Sequence, residues 1–525
     1  MRMGSEAGSR FPVLGGRGAP TENRVPGTAR RLLVLPILLL TGCSVGPNYR
    51  KPSAPAPSAY KELSPAEAAA AAGKEWKPAE PRDEAGRGKW WDVFGDANLD
   101  QLEDQVNVSN QNIAQAEAQF RGARAAVRGA RADFFPTVTA SASATRSQAP
   151  KGRATSGTPT GPTTAYSLTA DLSYEVDVWG RVRRSVESSV ALAQASAADL
   201  EAVRLTMHTE LALDYFALRG LDTEKDLLDT NVAAYEKALR MTVNRYNQGV
   251  VSGVDVAEAQ TLLETTRAQA TDLSVLRAQL EHAIAVLVGK APADFSIAPA
   301  PGLTPPPAIP PGVPSELLER RPDIAASERR VKSANAQIGV ATAAYFPRLL
   351  LAASGGYEGS TLADWFTLPS RFWSIGPSLV ATLLDGGRRR AVTEQARASH
   401  EAAVAVYRLD VLTAFQDVED NLAALRILAE EASQQAAAVA AAEKALAIAR
   451  NRYLAGTTTY LEVVTAQAVA LSNERTAVAI QVRRLTAAVT LIKALGGGWS
   501  ASDLPYGGVR ASAASEPQPR STQPD

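Results

Sequence analysis

The sequence predicts a mixed α+β membrane fold: two tandem copies of one unit, each a pair of membrane-length β-strands joined to a very long helical hairpin. Three observations point there. First, RYNQGVVSGVDVAEAQ from Arg245 and RYLAGTTTYLEVVTAQ from Arg452 share Arg, Tyr, Gly, an acid, Val, Ala and Gln at an offset of 207, the offset that also relates Gly289 to Gly496. Second, YSLTADLSYEVDV places apolar residues at Tyr166, Leu168, Ala170, Leu172, Tyr174, Val176 and Val178 with a polar residue between each, so an extended strand has one greasy and one wet face. Third, residues 181–247 contain no proline and a single glycine, Gly220, while 388–455 contain neither.

The N-terminus reads as an address. Arg30-Arg31 precede the apolar run LLVLPILLL, which is too short to span a bilayer and has the form of a signal peptide over 1–42. The run ends in LTGC, and its Cys43 is the only cysteine of the chain. This resembles a bacterial lipobox, in which Cys43 takes a diacylglyceryl group and becomes the first residue of the mature protein; Ser44 after it points to the outer membrane. The 29 residues before Arg30 are long for such a peptide, and a start at Val25 fits its length better. A lipidated segment, 43–95, follows and is rich in Pro and Ala over 51–88.

Repeat one is expected over 96–297, with a helix at 97–133, a β-hairpin at 137–178, a long helix, a tip at 248–253 and a return helix to 289. Repeat two, 315–497, has a helix at 315–345, a hairpin at 348–385, a long helix, a tip at 455–460 and a return helix to 496. DFFP at 133–136 answers AYFP at 344–347, and GRVRRSVE from Gly180 answers GGRRRAVTE from Gly386. APAPGLTPPPAIPPGVP, 298–314, is an extended linker because proline can continue neither a helix nor a central strand. The tail, 498–525, reads as disordered. TVTASASATR from Thr137 alternates like its partner strand, FWSIGPSLVATLLD from Phe372 less cleanly, and RLLLAASGGYE from Arg348 least. Four strands cannot close a barrel, for which about eight are needed. An open edge in lipid leaves backbone groups unpaired, so the chain must pool strands with copies of itself. Each long helix reaches about 100 Å at about 1.5 Å per residue. Val186, Ala193, Leu200 and Met207, with Val190, Ala197, Leu211 and Leu218, give a coiled-coil seam rich in alanine.

Composition narrows the function. Lys+Arg and Asp+Glu are equal at 55 each, which argues against nucleic-acid binding. Three His and one Cys make a Cys/His metal site unlikely and an internal disulfide impossible. No phosphate loop or nucleophile–base set occurs; GGRRR and LGGGW fall at a strand–helix junction and a helix end. No enzyme, cofactor or metal is expected, only the covalent lipid on Cys43.

CSVGPNYRKP from Cys43 and KWWDVFGDANLDQL from Lys89 resemble the mature start of outer membrane factor lipoproteins, the TolC/OprM/NodT family, and the resemblance covers about residues 43–500. It implies a homotrimer whose pooled strands form a 12-stranded β-barrel in outer membrane lipid, continuous with a periplasmic α-helical barrel. It implies a passive exit duct for drugs or other small toxic molecules, worked by a periplasmic adaptor and an inner-membrane RND pump. The alternatives are a duct for type I protein secretion with an ABC transporter, a metal-ion efflux channel, or a periplasmic adaptor lipoprotein; the last lacks its lipoyl-like domains here. On this resemblance Gly249, Val250, Val251, Ser252, Gly456, Thr457, Thr458 and Thr459 form the adaptor-docking tip, and Glu462, Asp255, Glu258 and Tyr453 the periplasmic gate. A ring of Glu462 carboxylates would hold cations at the mouth. A bond from the Tyr453 hydroxyl to Asp255 would latch it, and Ser252 and Thr459 would cap the return helices. Thr458 and Thr465 replace a basic residue and an acid found in some relatives.

Overall fold

The computed structural model describes residues 44–54, 57, 59–63, 89–148, 161–307, 309 and 320–497. The signal segment, Cys43 and the tail lie outside the described residues, as does 310–319 of the linker and the helix after it. The chain divides into a unit of residues 1–44 and a unit of 45–525, and the fold described is that of the second. Its elements in order are α1 (Ala97–Ser109), α2 (Gln111–Ala132), β1 (Thr137–Ser147), β2 (Thr163–Val176), α3 (Arg181–Asn247), α4 (Gly253–Leu287), α5 (Pro322–Ala343), β3 (Arg348–Gly359), β4 (Arg371–Val380), α6 (Arg388–Leu454) and α7 (Tyr460–Ala494).

The four strands form one antiparallel sheet in the order β1-β2-β3-β4, so the two hairpins are stitched together through β2 and β3. Register carries the apolar row across the whole sheet. Val138 faces Leu172 and Ala142 faces Leu168; Leu168 faces Tyr357 and Leu172 faces Ala353; Ala353 in turn faces Ile375, and Leu349 faces Leu379. The opposite face is polar over β1 and β2 and mixed over β3 and β4, where Leu350 and Phe372 share it with Ser354 and Ser374. Ser141 and Thr169 hydroxyls lie 2.6 Å apart, Ser143 and Ser167 2.8 Å apart, and Ser354 donates to Asp171 at 2.6 Å. Trp373, Ile375 and Leu379 on the apolar face are mostly exposed in the single chain. Aromatic residues gather at both ends of the strands: Trp365 lies 5.6 Å from Tyr166 and 4.8 Å from Phe366, while at the helix end Trp179 stacks on Phe346 at 4.8 Å and donates to the Pro347 carbonyl at 2.7 Å. β4 ends at Val380, short of the expected 385, because its partner β3 begins at Arg348, opposite Val380.

The two long helices are each 67 residues and the two return helices each 35. The alanine seam lets helices approach closely: Ala197 and Ala198 of α3 pack directly on Ala325 and Ala326 of α5. Gly220 has a comparable cause, since a Cβ there would stand 2.4 Å from a methyl of Val482 on α7. The helix expected over 97–133 is instead two. Asn110 takes an extended conformation, its side chain accepts from the Asn112 and Ile113 N–H groups, and its amide donates to the Leu287 carbonyl at 2.8 Å. A buried asparagine that can cap ends one helix and starts the next. None of the described helices is long and apolar enough to cross a membrane.

The segment after Ser44 is a strap on the helices. Val45 N–H donates to the Trp179 carbonyl at 3.1 Å, Asn335 to the Pro47 carbonyl at 3.0 Å, Tyr49 to Glu328, and the Lys61 N–H to Glu419 at 2.8 Å. Farther on, Trp90, Trp91 and Phe94 seat in a core with Leu99, Tyr215 and Phe216. Trp91 stacks at 4.6 Å on His208, whose Nδ1 lies 2.6 Å from Glu103 and whose Nε2 lies 3.0 Å from the Asn107 side-chain oxygen. Burial pushes Glu103 from 4.5 up to about 9, helped by Asp100 and Asp104, and pulls His208 from 6.5 down to about 4, helped by Arg204. The pair is therefore a neutral acid bonded to a neutral imidazole.

This fixes a pH dependence. Between 4.5 and 6.5 the folded pair holds one proton on Glu103 and the unfolded pair holds one on His208, so the two effects cancel. Above 6.5 the unfolded pair has lost its proton while the folded pair keeps one until about 9, so stability falls as pH rises through that window. Thermal midpoints measured across it should decline for the wild type, and Glu103→Gln should flatten the decline.

Candidate functional site: the two helical tips

Both long helices stop in the same left-handed turn. Gly249 has φ 74° and Gly456 φ 75°. Val250 N–H reaches back to the Arg245 carbonyl at 2.9 Å and Gly249 N–H to Tyr246 at 2.9 Å; the counterparts, Thr457 to Arg452 and Gly456 to Tyr453, are both 3.0 Å. This doubly bonded ending is a Schellman motif, which satisfies the last carbonyls of the helix and needs a residue tolerant of positive φ. Gly249, Val250, Ser252, Gly456, Thr457 and Thr459 are exposed, while Val251 and Thr458 are half-buried.

The restarts differ. Ahead of α4, the Asp255 carboxylate accepts the Ser252 N–H at 2.8 Å and the Ser252 hydroxyl at 3.2 Å, as the acid of a capping box does. Asp255 thus has a local helix-capping task. Thr459 precedes α7 but makes no side-chain cap bond, contrary to the expectation for it. Glu462, the counterpart of Asp255, does not turn back to the cap either. Its longer side chain reaches the preceding helix, where it pairs with Arg452 at 2.5 Å and accepts from the Thr458 hydroxyl. Both ends of that pair are about half exposed, so it contributes at most about 1 kcal/mol and is easily opened.

The expected bond from Tyr453 to Asp255 is not made within the chain. Tyr453 is buried at 3% exposure, packed 5.2 Å from Tyr460 and against Ala259, Ala449 and Val463, and its hydroxyl has no partner. The Arg245 guanidinium covers the ring at 4.5 Å and donates to the Tyr453 carbonyl at 3.4 Å. Arg245 on α3 thereby ties the first tip to the second, a cation–π contact that strengthens as water is excluded. Tyr246, the counterpart of Tyr453, is 49% exposed. Glu258 sits half-buried on α4, one turn past Asp255. Burial pushes the Tyr460 phenol up to about 12, and the nearby Tyr453 adds to it. Arg245, Arg452 and Tyr460 were the site residues that sequence reasoning passed over. The signal for the arginines was present, since Arg-Tyr opens both repeated segments.

Because the Tyr453 hydroxyl is buried and unbonded, Tyr453→Phe should leave stability within about 1 kcal/mol of wild type or raise it. Tyr453→Ala should cost about 3–5 kcal/mol by removing the ring under Arg245. Chemical unfolding of the two variants side by side checks this.

The family model described as "Outer membrane efflux protein" matches residues 102–290 and 313–497. The chain is similar to the outer membrane protein OprJ of Pseudomonas aeruginosa, 32% identical over 465 residues, covering 88% of this chain and 94% of that protein. It is 30% identical over 472 residues to the toluene efflux pump outer membrane protein TtgC of Pseudomonas putida, covering 89% and 95%. Among solved structures, the outer-membrane channel OprN superposes with a TM-score of 0.77 at 32% identity, covering 87% of this chain and 100% of that one.

Proposed function

The chain belongs to the outer membrane efflux protein family, and from that premise we propose that three copies form the outer membrane channel of a tripartite efflux system. The observation that carries this reading is the sheet: four strands with one continuous apolar face and two edges, β1 and β4, that have no neighbour among the described residues. Strand directions alternate across β1-β2-β3-β4, so the β1 of one copy can pair antiparallel with the β4 of another. Three copies close a 12-stranded barrel, whose even count lets every neighbouring pair run antiparallel. The helical hairpins of the three copies continue it as a periplasmic tube. Nothing in the tips or the sheet does covalent chemistry, and the duct is passive; an inner-membrane RND pump supplies the energy and a periplasmic adaptor joins the two. Toluene is named for one relative, which fits a cargo of drugs and other small toxic molecules.

The remaining assignments belong to the same proposal. Cys43 carries a lipid, two residues before Val45, which is bonded at the aromatic boundary through Trp179. The exposed tip, Gly249 to Ser252 and Gly456 to Thr459, meets the adaptor. Glu462, Asp255, Glu258 and Tyr453 border the periplasmic mouth. Opening it requires Glu462 to leave Arg452, a separation that costs little because the pair is wet.

A single cysteine introduced as Thr458→Cys is the only free thiol once Cys43 is lipidated. Crosslinking from it in living cells should capture the adaptor of a proton-driven pump, and deletion of the gene should sensitise the host to several hydrophobic drugs. Capture of an ABC exporter's adaptor, with drug tolerance unchanged, would move the function to protein secretion.

A further inference from the structure

The last turns of α2 carry Arg121, Arg124, Arg128 and Arg131, spaced three and four apart so that they share one helix face. All four are exposed, and among the described residues none is in an ion pair; Arg124 only lies over its neighbour Phe120, at 5.8 Å. Four arginines on one stripe with no paired acid among the described residues repel one another, an arrangement that favours an external anion.

Correspondence between the two halves shows which way the stripe faces. Aligning Asp133–Pro136 with Ala344–Pro347 sets Arg124 opposite Asn335 and Arg128 opposite Gly339 of α5. Those two α5 positions lie under the N-terminal strap: Asn335 donates to the Pro47 carbonyl at 3.0 Å, and a Cβ on Gly46 would stand 2.5 Å from the Gly339 backbone. The strap begins two residues after the lipidation site proposed above, so it runs on the outer wall of the helical tube. The arginines of α2 occupy the same outer face on the other half of the chain, where the described residues include no strap.

Their level is fixed by the chain. β1 starts at Thr137, six residues after Arg131, and between them Phe134 and Phe135 are exposed at 36% and 70%. Exposed aromatics at a strand end, with arginines directly below, reproduce the order of acyl boundary and headgroup layer at a membrane surface. Arg131 and Arg128 are then at headgroup depth, and Arg124 and Arg121, up to about 15 Å lower along the helix axis, remain within reach of long side chains and a surface potential.

We propose that this stripe binds the anionic headgroups of phospholipids in the periplasmic leaflet, one site on each copy of the chain. The inference rests on the outer membrane reading, and its test separates the two. The full-length lipidated protein is placed in nanodiscs of phosphatidylcholine with a minority of phosphatidylglycerol, stripped to its retained lipids, and those lipids are quantified by mass spectrometry. The wild type should retain phosphatidylglycerol over phosphatidylcholine by roughly tenfold relative to the bulk mixture, the preference weakening with salt. R124Q/R128Q/R131Q should lose most of it, and R124K/R128K/R131K should keep part, since the charge survives. If the glutamine variant fails to assemble, the salt dependence and the lysine variant carry the test. Insertion without any headgroup preference, or equal retention in all variants, overturns the site alone. Failure of the wild type to enter nanodiscs overturns the membrane reading. If the stripe is instead covered by the strap of a second copy, the arginines crosslink to that strap and retention is unaffected by R124Q/R128Q/R131Q.

Discussion

The structure depends on one constraint: a backbone N–H or C=O placed in hydrocarbon must find its partner within protein. Among the described residues, the four-stranded sheet meets it internally along β2 and β3 and leaves it unmet along the outer edges of β1 and β4. The apolar rows of the strands align across all three pairings, so a single continuous surface faces lipid once the edges are closed. Serine and threonine hydroxyls of the other face bond one another and Asp171. In the proposed trimer, closing the edges with further copies would also gather the helical hairpins, and their tips, into a ring.

The tips show how an internal duplication becomes two different parts. The same Schellman ending follows Arg245 and Arg452, and the same register places an acid at Asp255 and Glu462. The partners on offer separate the outcomes. Asp255 closes a capping box on Ser252, whereas Glu462 is drawn to Arg452 and to the hydroxyl of Thr458, which stands where the first tip has Val251, and Thr459 makes no cap bond. The first acid is structural and the second is held by a wet ion pair that can open. Tyr453 and Tyr246 diverge similarly: the former lies under Arg245, while the latter is exposed.

Much of this was readable in the residues. The run from Arg181 to Asn247 is helical because nothing in it breaks a helix, and its lone Gly220 marks where Val482 approaches. Tyr166 to Val176 is a strand because its alternation has period two. What could not be read was decided by tertiary partners. No local signal says that β2 pairs with β3, or that β4 stops where β3 begins. Asn110 breaks a helix that its neighbours favour because it finds the Leu287 carbonyl, 177 positions away in sequence. The Tyr453 hydroxyl was expected to bond Asp255, but the ring is worth more inside the cluster with Tyr460 than its hydroxyl is outside it.

The most direct test of the central claim is the mass of the assembly. Native mass spectrometry of the lipidated protein released from nanodiscs should give three copies that stay together until the barrel unfolds, with strand content falling in the same step as the trimer is lost. A folded, membrane-inserted monomer that keeps its sheet would contradict the account, because its β1 and β4 edges would then be open to lipid.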